Sequence, residues 1–249
     1  MGRRMLLGML GLGGVGILWG AKVQDFLDRL LLPVTLHDPT GLTAFLPTAG
    51  RFRIYSVTGS LPHRTEADYR LQLTGLVDRP TTLDLTHLRT GFPQTQLTRD
   101  FQCVTGWRVP DVPWQGVALA TLLEAVGVQQ GATHVRFHSF DGVYTETLTL
   151  DQARRPDVLV AHQMLGKTVT QEHGGPVRLY VAPMYGYKSC KWLDRIEVVR
   201  TLDADTDPGY WERLGYDIDG WVGRSNGRDD PATSPGDKVT APGDKVTPP

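Results

Sequence analysis

The first place where this chain could do chemistry is a thiol in an extended run, followed by a Gly-Trp turn: Phe101-Gln102-Cys103-Val104-Thr105-Gly106-Trp107. The only other cysteine is Cys190, within Tyr185-Gly186-Tyr187-Lys188-Ser189-Cys190-Lys191-Trp192-Leu193. A thiolate is a soft ligand suited to transition metals. Cys103 has no nearby His or second Cys, so local spacing does not supply a zinc site. There is no C-x-x-C pair and no C-x-x-C-H signature for covalent haem. The residues alone leave three readings of Cys103 open. It is a buried inert thiol, or it pairs with Cys190 in an exported protein, or it is a lone protein thiolate on a metal whose other ligands come from a cofactor.

Two glycine-containing stretches could hold an anion. In His173-Gly174-Gly175-Pro176-Val177-Arg178 the glycine pair lets backbone N–H groups approach a ligand closely. The arginine five residues after the histidine can grip phosphate with two N–H groups at once. Lys188 and Lys191 flank Ser189 and Cys190 in the second stretch and suit a phosphate-bearing group. The plainer alternatives are a glycine turn before a strand and solvated loop lysines.

These residues need elements to position them. Tyr69 to Gly75 alternates polar and apolar, as a half-buried strand does. Thr82 to Thr86 leads into a short helix around His87-Leu88, and Gln94 to Val104 is extended and carries Cys103. Trp114-Gln115-Gly116-Val117 is expected to open a helix with Val117, Leu119, Leu122, Leu123 and Val126 on its apolar face and Gly127 as its stop. Strands over His134 to Ser139 and Tyr144 to Leu150 are joined at Asp141-Gly142, a hairpin signal. Asp151 is expected to cap Gln152 to Arg155. Val158 to Met164, Val177 to Val181 and Leu193 to Val199 read as further buried strands, and Arg51 to Val57 as a short extended stretch.

The chain begins Met1-Gly2-Arg3-Arg4, followed by an uncharged run from Met5 to Ala21 with six glycines. As a helix those residues would reach roughly 25 Å, the lower limit for crossing a bilayer. Adjacent arginines before Met5-Leu6-Leu7 resemble a twin-arginine export signal. Residues 1–32 are therefore expected to be a signal or membrane anchor, 33–50 a linker, 51–224 the main domain and 225–249 a disordered tail, in which PGDKVT occurs twice. A formal net charge of -1 gives no general field for nucleic acid.

Taken together, FQCVTGW, WQGVALATLLEAVG, FHSFDGVYTETLTL, HGGPVRLYVAPMYGYKSCKWLDRIE and GYWERLGYD resemble, in order, the sulfite-oxidase superfamily of molybdopterin enzymes. The resemblance implies the family's α+β molybdopterin-binding fold and a molybdenum–molybdopterin cofactor. It implies Cys103 as the thiolate ligand of molybdenum, with a dithiolene and oxo groups completing the metal. His173 and Arg178 match positions that contact the pterin and its phosphate, and Ser189, Cys190 and Lys191 match a loop that closes over it. His138 or Ser139 falls at another pterin contact, and Arg53 and Tyr55 where an N-terminal arm reaches the cofactor. The match leaves no immunoglobulin-like dimerisation domain, so a monomer is expected. It is similar to the small exported bacterial branch, which includes the catalytic subunit of a periplasmic methionine sulfoxide reductase.

The implied reaction is oxygen-atom transfer on a small sulfur-oxide substrate, either sulfite oxidation or sulfoxide reduction. Arg53 and Arg108 are the candidate cations to draw in an oxyanion. With no haem or iron–sulfur motif, electrons are expected to pass through an outside carrier, a cytochrome or a quinone-linked membrane subunit. The rival expectation is a non-catalytic, membrane-anchored binding protein on the same fold.

Overall fold

The computed structural model describes residues 52–105, 107–201 and 208–222. The expected signal or anchor, the linker and the repeat tail lie outside the described residues. The described part divides into two units. Phe52 and Arg53 with Trp107–Pro110 form a small one, in which the Phe52 and Trp107 rings meet edge-on at 6.1 Å. All that follows concerns the larger unit.

Its frame is two five-stranded sheets. The first has the order β2 (Thr81–Asp84), β1 (Arg70–Gly75), β10 (Leu193–Val199), β5 (His134–Ser139), β6 (Thr145–Thr149). The second has the order β3 (Thr95–Gln102), β4 (Arg108–Ala118), β7 (Val158–Met164), β8 (Lys167–Thr168), with β9 (Arg178–Val181) also paired to β7. β1 and β10 run parallel, with Leu73 opposite Ile196, while β1–β2, β10–β5, β5–β6 and β4–β7 are antiparallel. Mixed sheets with three short helices make the fold α+β, as the sequence implied.

Alternation explains how the first sheet packs. Leu71 and Leu73 of β1, Val135 and Phe137 of β5 and Ile196 and Val198 of β10 all point into one core. That core also takes Val117, Val158, Val160, Leu179 and Val181 from the second sheet. Helix α1 (Leu85–Thr90) starts at Asp84, whose carboxylate accepts the His87 N–H at 2.7 Å. Helix α2 (Leu119–Val126) buries Leu119, Leu122, Leu123 and Val126, the i, i+3, i+4, i+7 face, and ends at Gly127 with φ 70.

Three expectations are corrected. Trp114 to Val117 is the end of strand β4, not the start of α2. The Gly116 backbone lies so close to β7 that a Cβ would come within 2.2 Å of the Val160 carbonyl, beside a register shift, so this glycine marks a strand crossing rather than a helix start. Helix α3 (Leu150–Ala153) is capped by Thr149, not Asp151: Thr149 and Gln152 exchange hydrogen bonds as a capping box. No strand forms over residues 52–57, and β3 ends at Gln102, one residue short of the thiol.

Candidate cofactor site

Cys103 follows the anchored end of β3. Its neighbour Phe101 is buried, lies 6.4 Å from the Trp114 ring, and touches Gly186 so closely that a Cβ there would sit 2.5 Å from the Phe101 ring. Trp114 stacks on Tyr180 at 4.1 Å, and the Tyr180 hydroxyl donates to the Asp100 carbonyl at 2.9 Å. The strand end is thus held against the loop that carries residues 186–191. The Cys103 thiol is half-buried and free, and its sulfur accepts the Thr105 Oγ1–H at 3.3 Å. Cys190 is also free, so the two cysteines are not paired.

The anion-holding stretches come together around Arg178. This fully buried guanidinium donates to the carbonyls of His173 (2.7 Å), Ser189 (3.0 Å) and Leu179 (3.3 Å). One side chain therefore joins the His173 turn to the Ser189 loop. Phe101 and Trp114 lie against the guanidinium, each 5.5 Å away. Burial lowers the Arg178 pKa to about 10. Lys191 Nζ donates to the carbonyls of Tyr55 (2.5 Å) and Glu172 (3.4 Å) and lies over the Trp192 ring. Burial, then the nearby Arg178 charge, push Lys191 down to about 7. His173 is pushed down to about 4 by burial and by the same two cations. Among the described residues neither Arg178 nor Lys191 forms a salt bridge to a carboxylate. Buried cations that depress one another's pKa and lack a counterion are a place for an anion.

The turn between them is shaped by close approach. At Gly174 (φ +95) a Cβ would lie 2.5 Å from Lys191 Cβ, and at Gly175 one would lie 1.9 Å from the Val169 carbonyl. Ser189 is buried, and its Oγ accepts the Val181 N–H at 3.0 Å. The Cys190 thiol points into the core, and burial raises its pKa strongly, so only its backbone remains for a ligand.

The structure separates His138 from Ser139. His138 has both ring nitrogens engaged, by Glu197 (2.8 Å) and Arg195 (3.0 Å), in a cross-strand row with Arg195, Gln72 and Thr145. That row lines a cavity of about 370 Å³ whose lining includes none of Cys103, Arg178 and Lys191. Ser139 is buried beside the 140–144 turn. There the structure adds a residue read in the sequence only as a hairpin signal. Asp141 Oδ1 accepts the N–H groups of Val143 (2.9 Å) and Tyr144 (2.8 Å), while its buried Oδ2 has no partner, and its charge is felt at Lys191. Tyr55 reaches this region through its carbonyl, its side chain being exposed. Arg53 and Arg108 belong to the small unit. Lys188 is corrected: it is wholly buried against Glu146 and Glu212 and does not face an anion.

No cluster of three His, Cys, Asp or Glu side chains among the described residues could hold a metal by itself. A single accessible thiol, an orphaned carboxylate oxygen and a cationic cradle without counterion instead fit a metal that arrives in an organic, phosphorylated carrier. Comparison with known proteins agrees. Residues 58–211 match the model of the oxidoreductase molybdopterin-binding domain. The chain is 36% identical over 164 residues to the uncharacterized oxidoreductase YuiH of Bacillus subtilis, covering 66% of this chain and 80% of YuiH. It is 33% identical to sulfite oxidase of Arabidopsis thaliana, covering 59% of this chain and 45% of that one. It is 34% identical to the protein-methionine-sulfoxide reductase catalytic subunit MsrP of Gluconobacter oxydans, covering 64% of this chain and 54% of MsrP. The chain thus spans about half the length of the last two.

The fold and site define a molybdopterin-dependent oxidoreductase. The chain belongs to the oxidoreductase molybdopterin-binding domain family, within the sulfite-oxidase superfamily, and its cofactor is molybdenum–molybdopterin.

Proposed function

We propose that this protein transfers an oxygen atom to or from a small sulfur-oxide centre, as sulfite oxidation or sulfoxide reduction, with an external electron carrier. Relatives named for both chemistries support the substrate class. The observation that carries the reading is the counterion-free pair Arg178 and Lys191 on the loop packed against the end of β3, one residue from the Cys103 thiol. Bound here, the cofactor supplies two-electron oxygen-atom chemistry that no side chain offers.

The chain's residues have separate parts in this proposal. Cys103 is the protein thiolate on the metal, and the Thr105 hydroxyl on its sulfur modulates the charge that it donates. Arg178 and Lys191 hold the phosphate, with the Gly174 and Gly175 backbone close by. Asp141 Oδ2 accepts a donor of the pterin, and Ser139 and Tyr55 border it. Arg53 and Arg108 are the substrate-attracting cations. Residues 1–32 act as an export signal or anchor, which would put the enzyme on the extracytoplasmic face beside a membrane redox partner; the term catalytic subunit in one relative's name supports a partner of this kind. Residues 225–249 form a solvated tail.

The test is molybdenum and pterin content of protein made in a host that synthesises the cofactor. About one of each per chain, with turnover of sulfite or methionine sulfoxide and an artificial electron carrier, supports the proposal. Folded wild-type protein without molybdenum overturns it.

A further inference from the structure

Behind the cofactor loop, on the far side of Lys188, lies a charge cluster that the chemistry above does not use. Lys188 Nζ donates to Glu146 Oε1 of β6 (2.5 Å), Glu212 Oε1 (2.7 Å) and the carbonyls of Thr147 (2.8 Å) and Ile218 (2.9 Å). All three charged side chains are buried. An ammonium has three protons, and here four acceptors surround it. Two ionised carboxylates would leave one buried negative charge in excess, at a large desolvation penalty. Burial and the neighbouring Glu212 raise the Glu146 pKa well above the carboxylate range against the pull of Lys188, so one carboxyl keeps its proton and the cluster is neutral. Glu146 Oε2 and Glu212 Oε2 accept from no other group among the described residues, which leaves that proton between the two carboxyls.

The cluster joins pieces far apart in sequence. Glu212 and Ile218 belong to the segment 208–222, and further bonds fix that segment to the loop before Ser189. Tyr185 N–H donates to Gly220 O (2.8 Å), Val222 N–H to Pro183 O (3.2 Å) and the Tyr187 hydroxyl to Asp217 O (2.5 Å). Gly220 (φ +62) packs so tightly that a Cβ would lie 2.7 Å from Lys188 Cγ. Immediately beyond Lys188 come Ser189, whose carbonyl binds Arg178, and Lys191.

The geometry points to Lys188, Glu146 and Glu212 as positioning residues: a neutral buried latch through which segment 208–222 holds the 186–191 loop in the shape that receives the cofactor. This rests on the molybdopterin reading of the loop. A buried ion cluster is weak support for overall stability, since apolar replacements often do as well. Its value here lies in fixing one loop conformation.

Glu212→Ala breaks the latch, whereas Glu212→Gln keeps an acceptor for Lys188 and a donor for Glu146. In the full chain, amide exchange at residues 186–191 should speed up about tenfold or more in Glu212→Ala and return toward wild type in Glu212→Gln, with β1 and β5 amides unchanged. Molybdenum and pterin per chain should fall in Glu212→Ala and recover in Glu212→Gln. If Glu212→Ala does not fold, Gly220→Ala presses on Lys188 from outside the cluster and should give the same local pattern. Exchange at 186–191 that stays unchanged, or that rises equally in β1 and β5, overturns the latch. A wild type without molybdopterin refutes the cofactor reading and leaves the exchange result standing.

Discussion

Cys103 and Lys191 have effects that separate cleanly. Cys103→Ser swaps a soft thiolate for a hard hydroxyl, and turnover should drop by about a hundredfold or more with an altered metal spectrum, while the melting temperature of the cofactor-free protein stays within a few degrees. Lys191 titrates near 7 in the fold but in the ordinary lysine range when unfolded. Between those values the unfolded chain binds more protons, so the cofactor-free protein gains stability as pH rises through that window. An anion beside Lys191 favours the charged form and works the other way. Sulfate, whose charge is constant from pH 6 to 8, should therefore raise the melting temperature more at pH 6 than at pH 8. Lys191→Met should flatten that difference, and His173, already pushed down to about 4, should not contribute to it. The residue types at these positions were legible in the sequence, but their surroundings were not. Lys188 and Lys191 look equivalent in a loop; one is neutralised by Glu146 and Glu212, 42 and 24 residues away, and the other has only carbonyls. Asp141 was visible as a turn former because one carboxylate oxygen caps the turn, and nothing local shows that the other is left without a donor.

The short elements obey local rules where close backbone contacts do not intervene. Thr149→Ala removes the capping box of α3 and should lower stability by about 1 kcal/mol, read by thermal or urea unfolding. Glycines divide by what surrounds them. At Gly142 (φ +78) nothing lies within 4 Å, so Gly142→Ala meets only the left-handed backbone and should cost about 1–2 kcal/mol. Gly175→Ala would drive a Cβ to 1.9 Å from the Val169 carbonyl and should cost about 3 kcal/mol or more, with loss of the cofactor turn. The same contrast explains which elements the sequence revealed. Alternation gave away β1 and β5, and helical spacing gave away α2. Trp114-Gln115-Gly116-Val117 misled because the glycine answers to β7, more than forty residues away, and not to its own neighbours.

Across the whole molecule, the two sheets share one core, and Phe137 sits in the middle of it from the central part of the first sheet. Phe137→Ala should destabilise the protein by about 3–5 kcal/mol in denaturant titration, far more than any change in the outward row His138, Arg195, Gln72. The parallel pairing of β1 with β10 joins residues more than 120 positions apart. Periodicity reports which residues face inward and is silent on which strand lies next to which, so the fold class came from the joint pattern of motifs and the strand order from the structure. One bond across this architecture has a practical use. Lys191 holds the chain at residue 55 by its carbonyl, and the Tyr55 side chain stands outside. A fluorophore could therefore replace that ring without touching the bond, giving an optical reporter of cofactor loading in intact protein.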